Sequence, residues 1–215
     1  MSAVLEAPPM IPRSSSTTPV PMRKSPAPRP LRWTVAEFYR LFQLPNFQDR
    51  KCLLIDGEII EMPNPGPMHV AVITIAYHAL CRLFGDGFLV RNQGGLPLGL
   101  DTDPIPDLSV VTGNVRDYLH AHPTIDRVRL VAEISDSTLL QDLRAKSHLY
   151  AAGGVSEYWV IDVNASQLHV FREPVADEAA PRGFRYASIQ VLNPTDPMNP
   201  LAAPDSQFAV GELMP

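Results

Sequence analysis

Cysteine is scarce in this chain, and so are aromatic residues. Cys52 and Cys81 are the two cysteines among 215 residues. They cannot build a disulfide framework, and they lack the close spacing of a thiolate metal site. Reduced thiols in a cytoplasmic setting are the expectation this leaves. Phe, Trp and Tyr make up 7% of the chain, too few for the aromatic-lined cleft of a sugar-cleaving enzyme. A basic excess is missing as well. The formal charge is -5, which excludes a polycation that coats nucleic acid. It does not exclude an acidic pocket whose sign a bound divalent metal inverts. No apolar run reads as long enough to span a bilayer. The opening AVLEAPPM carries an acid and lacks the basic-then-apolar order of a leader, so no membrane partner is expected. GGLPLGL has neither the GK[ST] ending nor the GxGxxG order of a phosphate cradle.

Proline and serine are plentiful at the start. Residues 1–30 are rich in Pro, Ser and Thr and hold four basic residues against one acid, which leaves the remainder at -8. Such a segment buries too little apolar surface to offset its chain entropy, and disorder is expected. Residues 31–215 then form one domain, long enough for a substantial core. Thr34 and Glu37 spell a capping box ahead of Val35, Phe38, Leu41 and Phe42. LLIDGEIIEM predicts a hairpin, Leu53–Ile55 and Glu58–Met62 across Asp56-Gly57. A long helix is expected from about His69 to Phe84, with Val70, Ile73, Tyr77, Leu80 and Phe84 inward. FLVRNQ and residues 107–111 read as strands, with an irregular loop over 112–127. VRLVAEIS, nearly continuous in apolar residues, reads as a central strand covered on both faces. VSEYWVIDV and QLHVFRE predict a second hairpin, and FRYASIQV a further strand. The pattern is mixed α/β (α+β): a central mixed sheet flanked by helices.

EISDSTLLQDLRAKSHLY sets a problem. Ser137 or Thr138 can cap a helix here, and Gly153-Gly154 can end it. At about 100° per residue, Leu139, Leu143, Lys146 and Tyr150 share one stripe, flanked by Asp142 and Leu149. A lone ammonium on that buried-looking side would cost on the order of several kcal/mol. Either the lysine stem snorkels outward and pairs with Asp142 at i, i+4, or the lysine faces buried carboxylates that require a cation.

Two acids stand where such a cation is needed. Asp107 follows Pro106 at the entry to an apolar strand, and Glu133 is the sole charge in VRLVAEI. Acids in such positions are rarely buried unless paired or ligating metal. A tight turn from the Glu133 strand into the helix would bring Lys146 back over both. Two carboxylates on adjacent strands and one lysine suit phosphodiester hydrolysis. Hard oxygens favour Mg²⁺ or Mn²⁺, a metal activates water and polarises the phosphate, and the lysine stabilises the charge growing on its oxygens.

The series PDLSVV, VAEIS and DLRAKSHLYAAGGVSEYWVIDV, preceded by LIDGEII and MHVAVITIAYHAL, resembles the restriction endonuclease family of the Uma-two type, within the PD-(D/E)XK nuclease superfamily. The resemblance covers roughly residues 33–175. It implies a restriction-endonuclease-like core and metal-dependent cleavage of DNA, with a symmetric homodimer for cutting both strands. It implies Asp107 and Glu133 as metal ligands and Lys146 as the catalytic lysine, displaced to the helix from its usual place two residues after the Glu, where Ser135 stands here. His69 matches a histidine common at the start of the family's long helix and would contact substrate or water, or merely cap the helix. Asp142 would orient Lys146 or extend substrate and metal binding. One departure bears on activity: the family's Glu before LIDGE is replaced by Leu53. A nuclease fold that binds nucleic acid or protein without cutting is therefore the alternative reading. Glu58 reads as an exposed hairpin acid, His120 and His122 as a solvated loop, Asp101 and Asp103 as turn-shaping residues, and Tyr158 and Trp159 as strand packing.

Overall fold

The computed structural model describes residues 29–215, so the tail expected over residues 1–30 lies outside it but for two residues. A capping box precedes the first helix. The Thr34 side chain accepts from the Glu37 N–H, and the Glu37 carboxylate accepts from the Thr34 N–H at 2.9 Å. Helix α1 (Val35–Leu41) follows, burying Phe38. Strands β1 (Cys52–Ile55) and β2 (Glu58–Glu61) form the expected hairpin. Asp56 and Gly57 both have positive φ, 51° and 73°, which is what a two-residue connection between right-twisted strands demands.

Helix α2 (Pro67–Phe84) starts two residues earlier than the sequence reading placed it. Pro67 fits the first turn, where a missing N–H costs nothing. The buried face is Val72, Ile73, Ala76, Ala79, Leu80 and Phe84. Val70, expected inward, is 47% exposed, because the buried face is centred on Val72, Ile73, Ala76 and Leu80. By length and composition α2 would reach across a bilayer, contrary to the estimate from run length. Its buried residues join the main core cluster against the sheet.

Six strands form that sheet: β3 (Phe88–Asn92), β4 (Leu108–Thr112), β5 (Val128–Ser135), β6 (Glu157–Asp162), β7 (Gln167–Ala176) and β8 (Phe184–Leu192), neighbours in that order. Every pairing is antiparallel except β5 with β6. A parallel pair needs a crossover, and residues 136–156 supply it. β5 is buried at every position but Arg129. Leu130, Ala132 and Ile134 face α2, while Val131 packs with Tyr150 and Tyr158 in a second cluster. The mixed α/β expectation, a central sheet with flanking helices, holds.

Two short strands were not foreseen. β9 (Pro197–Met198) and β10 (Phe208–Ala209) pair with each other and send Met198 and Phe208 into the main core. Glu157 fastens this segment. Its fully buried carboxylate accepts from Trp159 Nε1 (3.0 Å), Arg172 Nε and Nη2 (2.8 and 2.6 Å) and the Leu201 N–H (2.8 Å).

The crossover helix differs from the expected continuous α-helix. It runs as α3 (Leu139–Gln141), a π-helical turn Asp142–Lys146, and α4 (Ser147–Ala152). No hydroxyl caps its first turn. The Thr138 hydroxyl instead donates to Asp142 Oδ2 at 2.5 Å. Gly154, with φ 81°, ends it as expected.

Candidate active site

The register that pairs Leu108 with Ala132 sets Asp107 beside Glu133 across the β4–β5 ladder. Backbone amides bind the two acids together. The Asp107 N–H donates to Glu133 Oε2 (3.3 Å), and the Ile134 N–H donates to Asp107 Oδ2 (2.9 Å). A buried carboxylate is tolerable when its lone pairs are met in this way. The other oxygen, Asp107 Oδ1, accepts from His69 Nε2 at 3.0 Å, delivered from the first turn of α2. Burial alone would raise the Asp107 pKa. The His69 contact, the Ile134 amide and the Lys146 charge outweigh it and hold the group below its ordinary value. His69 is raised in turn, chiefly by that same hydrogen bond against the pull of burial.

Lys146 settles the question its stripe posed. Its Nζ lies 3.1 Å from Glu133 Oε2 and 2.8 Å from Asp142 Oδ1. The i, i+4 pair and the contact with the strand acid therefore coexist. Asp142 is fully buried rather than at the edge of the helix. The π turn explains this: with more residues per turn than an α-helix, it delays the rotation and centres the inward stripe on Asp142, Lys146 and Tyr150. Leu139 and Leu143 are left half-buried.

Glu133 is 2% exposed. Burial, with Asp107 and Asp142 repelling its charge, pushes its pKa up to about 7 despite Lys146 and the Tyr150 hydroxyl. Burial would lower Lys146, but Glu133, Asp142 and Asp107 around it raise it above the ordinary lysine range, so it stays protonated. With its side chain 29% exposed, the ammonium reaches a cavity of about 470 Å³ whose wall also holds Asp107, Glu133 and His69.

The structure adds residues that sequence reading passed over. Tyr150 counted only as a member of the stripe, yet its hydroxyl donates to Glu133 Oε1 at 2.6 Å. A tyrosine beside an acid-facing lysine was the available signal. Tyr158 packs as expected and also donates to the Asp142 carbonyl at 3.0 Å. Leu53 lines the cavity. Glu58 is exposed as expected and pairs with Arg32 at 2.7 Å. His122 is no ligand partner for His120: Arg91 Nη2 meets its Nδ1 at 2.9 Å, and its ring stacks on Tyr39. Asp103 departs from the turn-shaping role. It is buried and accepts from the Tyr39 hydroxyl at 2.5 Å, and its backbone bridges to Leu54.

Among the described residues no group of three or more His, Cys, Asp or Glu gathers as a metal cage. The donor chemistry still fits a hard divalent cation. Three acids, Asp107, Glu133 and Asp142, stand here, the last two meeting Lys146 and the first meeting His69. Asp107 and Glu133 line the cavity wall, and carboxylate oxygens are the hard donors that Mg²⁺ and Mn²⁺ take.

Comparison with known proteins bears on the fold and the family. The crystal structure of a "putative nuclease belonging to DUF820" from Anabaena variabilis matches with a TM-score of 0.62 at 17% identity, covering 84% of this chain and 97% of that one. At that identity the likeness is one of fold. No curated protein matches the chain. The family model Uma2, described as "Putative restriction endonuclease", matches residues 35–211. That span takes in the six-stranded sheet, the crossover helix and every residue of the site, and the chain belongs to the Uma2 family of restriction-endonuclease-type nucleases.

Proposed function

We propose that the protein is a divalent-metal-dependent endonuclease that hydrolyses phosphodiester bonds of DNA. The observation that carries this reading is the position of Lys146 Nζ, 3.1 Å from Glu133 and at the wall of a cavity shared with Asp107. Asp107 and Glu133 would hold Mg²⁺ or Mn²⁺ through hard oxygens, with water and substrate completing the shell. When bound, the metal supplies Lewis-acid polarisation and an activated water. Lys146, held protonated, donates to the phosphate oxygens as their charge grows. His69 orients Asp107 and stands at the cavity, where substrate or water would meet it. Asp142 and Tyr150 act at one remove, the first fixing Lys146 and the second Glu133. Cutting both strands of a duplex pairs two such centres, so a symmetric homodimer accompanies this reading.

One observation favours a second reading. Leu53 places an apolar side chain in the cavity wall at the position where the resemblance implies a Glu, as expected of a fold that binds nucleic acid without cutting it. Cleavage of DNA and RNA with Mg²⁺, Mn²⁺ or chelator separates the two. The first reading expects metal-dependent cleavage of DNA, reduced about 100-fold or more by Lys146→Ala and by Asp107→Ala. Wild-type protein that binds DNA and never cuts it with either metal supports the second.

A further inference from the structure

We propose that Lys51 and Gln93 form a second anion subsite on the cavity wall, one that takes the phosphate next to the scissile one in the substrate strand. This rests on the reading of the cavity as a phosphodiesterase centre.

Lys51 stands just before β1 and Gln93 just after β3, and both line the cavity with Asp107, Glu133 and Lys146. Lys51 Nζ donates to Gln93 Oε1 at 2.8 Å. Among the described residues no ion pair includes Lys51. The nearby acid on the same wall, Glu61, faces Arg50 at 3.5 Å. The hydrogen-bond partner of the Lys51 ammonium is thus a neutral amide rather than a carboxylate.

The hydrogen-bond inventory of the pair selects its ligand. A lysine ammonium has three donors and no acceptor, and the Gln93 carbonyl oxygen is spent on Lys51. What remains toward the cavity is the amide NH₂ and the other ammonium N–H groups. A surface of donors alone complements an oxyanion. Among base edges only some, such as the N7/O6 face of guanine, present acceptors alone, whereas adenine and cytosine carry a donor there; every backbone phosphate presents acceptors alone.

The backbone places this pair relative to the reacting centre. Gln93 has φ 48°, a left-handed conformation uncommon outside glycine. Such residues gather at ligand clamps, where the surroundings hold them. Here the Gln93 N–H donates to the Asp107 carbonyl at 3.0 Å. The amide that completes the subsite is therefore tied to the residue whose carboxylate serves the scissile phosphate.

The test compares a substrate that has a neighbouring phosphate with one that lacks it. Wild type and Lys51→Met receive a DNA oligonucleotide and bis(p-nitrophenyl) phosphate, a lone diester, with Mg²⁺ or Mn²⁺. KM for the oligonucleotide is expected to rise about tenfold in the variant, with a loss on the lone diester several times smaller. The slope of log affinity against log salt for the oligonucleotide is expected to fall by about one. Gln93→Glu keeps Lys51 but neutralises its field, and should reproduce the pattern even if one variant folds poorly. Equal losses on both substrates, or an unchanged KM and salt slope, overturn the subsite. Oligonucleotide binding with Ca²⁺ in place of the other metals separates this idea from hydrolysis itself. A wild type that cuts neither substrate but binds more tightly than Lys51→Met removes the hydrolytic reading and keeps the anion subsite. A wild type that does not bind the oligonucleotide removes the subsite.

Discussion

Glu133 Oε1 accepts its hydrogen bond from a neutral donor, the Tyr150 hydroxyl. Tyr150→Phe keeps the ring against Tyr158, 4.9 Å away between centroids, and removes only the donor. A buried carboxylate oxygen left unpaired costs about 1–3 kcal/mol, so urea unfolding should show a loss of that size. If Tyr150 also positions Glu133 for metal, half-maximal cleavage by the variant will need more Mg²⁺. A variant equal to wild type in both measurements would show that this hydroxyl matters to neither. Asp103 offers a test by pH. Burial, outweighing the Tyr39 hydroxyl, raises its pKa above the ordinary 3.8. Between those two values the folded chain retains a proton the unfolded chain has lost, so its contribution to stability falls as pH rises through that window and then levels off. Asp103→Asn should therefore gain on wild type from pH 3.8 upward in parallel unfolding curves; a constant difference would show that Asp103 does not titrate abnormally. At this scale the sequence was legible where a charge interrupted an apolar pattern, as at Glu133 and Lys146. It assigned Asp103 only a turn-shaping role, because the burial of that residue depends on α1 and β1 meeting it from distant parts of the chain.

The crossover helix and the β1–β2 hairpin are the elements that shape the cavity. The stripe on the helix was readable from the 3.6-residue repeat, but the π turn was not. No local preference marks it, and its effect is to bring Asp142, Lys146 and Tyr150 onto one side of the helix. The hairpin was readable from Asp56-Gly57 alone. What it packs against was not. A Cβ on Gly57 would come within 2.8 Å of Arg32 Cβ and 3.0 Å of the Trp33 backbone N, at φ 73°. Backbone cannot yield as a side-chain tip can, and a left-handed φ adds strain. Gly57→Ala is therefore expected to destabilise the protein by about 1–3 kcal/mol, seen as a lowered melting temperature. An unchanged melting temperature would mean that the hairpin shifts away from residues 32–33 without cost.

For the molecule as a whole, the proposed reaction predicts a paired assembly. One chain of 23.7 kDa provides one such centre among its described residues, and a duplex has two strands to cut. Sedimentation equilibrium should return about twice the chain mass, as symmetric pairing is the commonest route to two centres. A monomer at cleaving concentrations would restrict the enzyme to one strand per encounter. The sequence by itself determined the order and type of the main elements, because apolar periodicity and turn chemistry act over a few neighbouring residues. It also singled out Asp107, Glu133 and Lys146, because an isolated charge in an apolar stretch requires a partner. Only the tertiary structure decided which partners those are. His69 comes 38 residues before Asp107, Tyr150 follows Glu133 by 17, and Lys51 meets Gln93 across 42. Contacts at such separations depend on strand register and crossover packing, which no local pattern encodes.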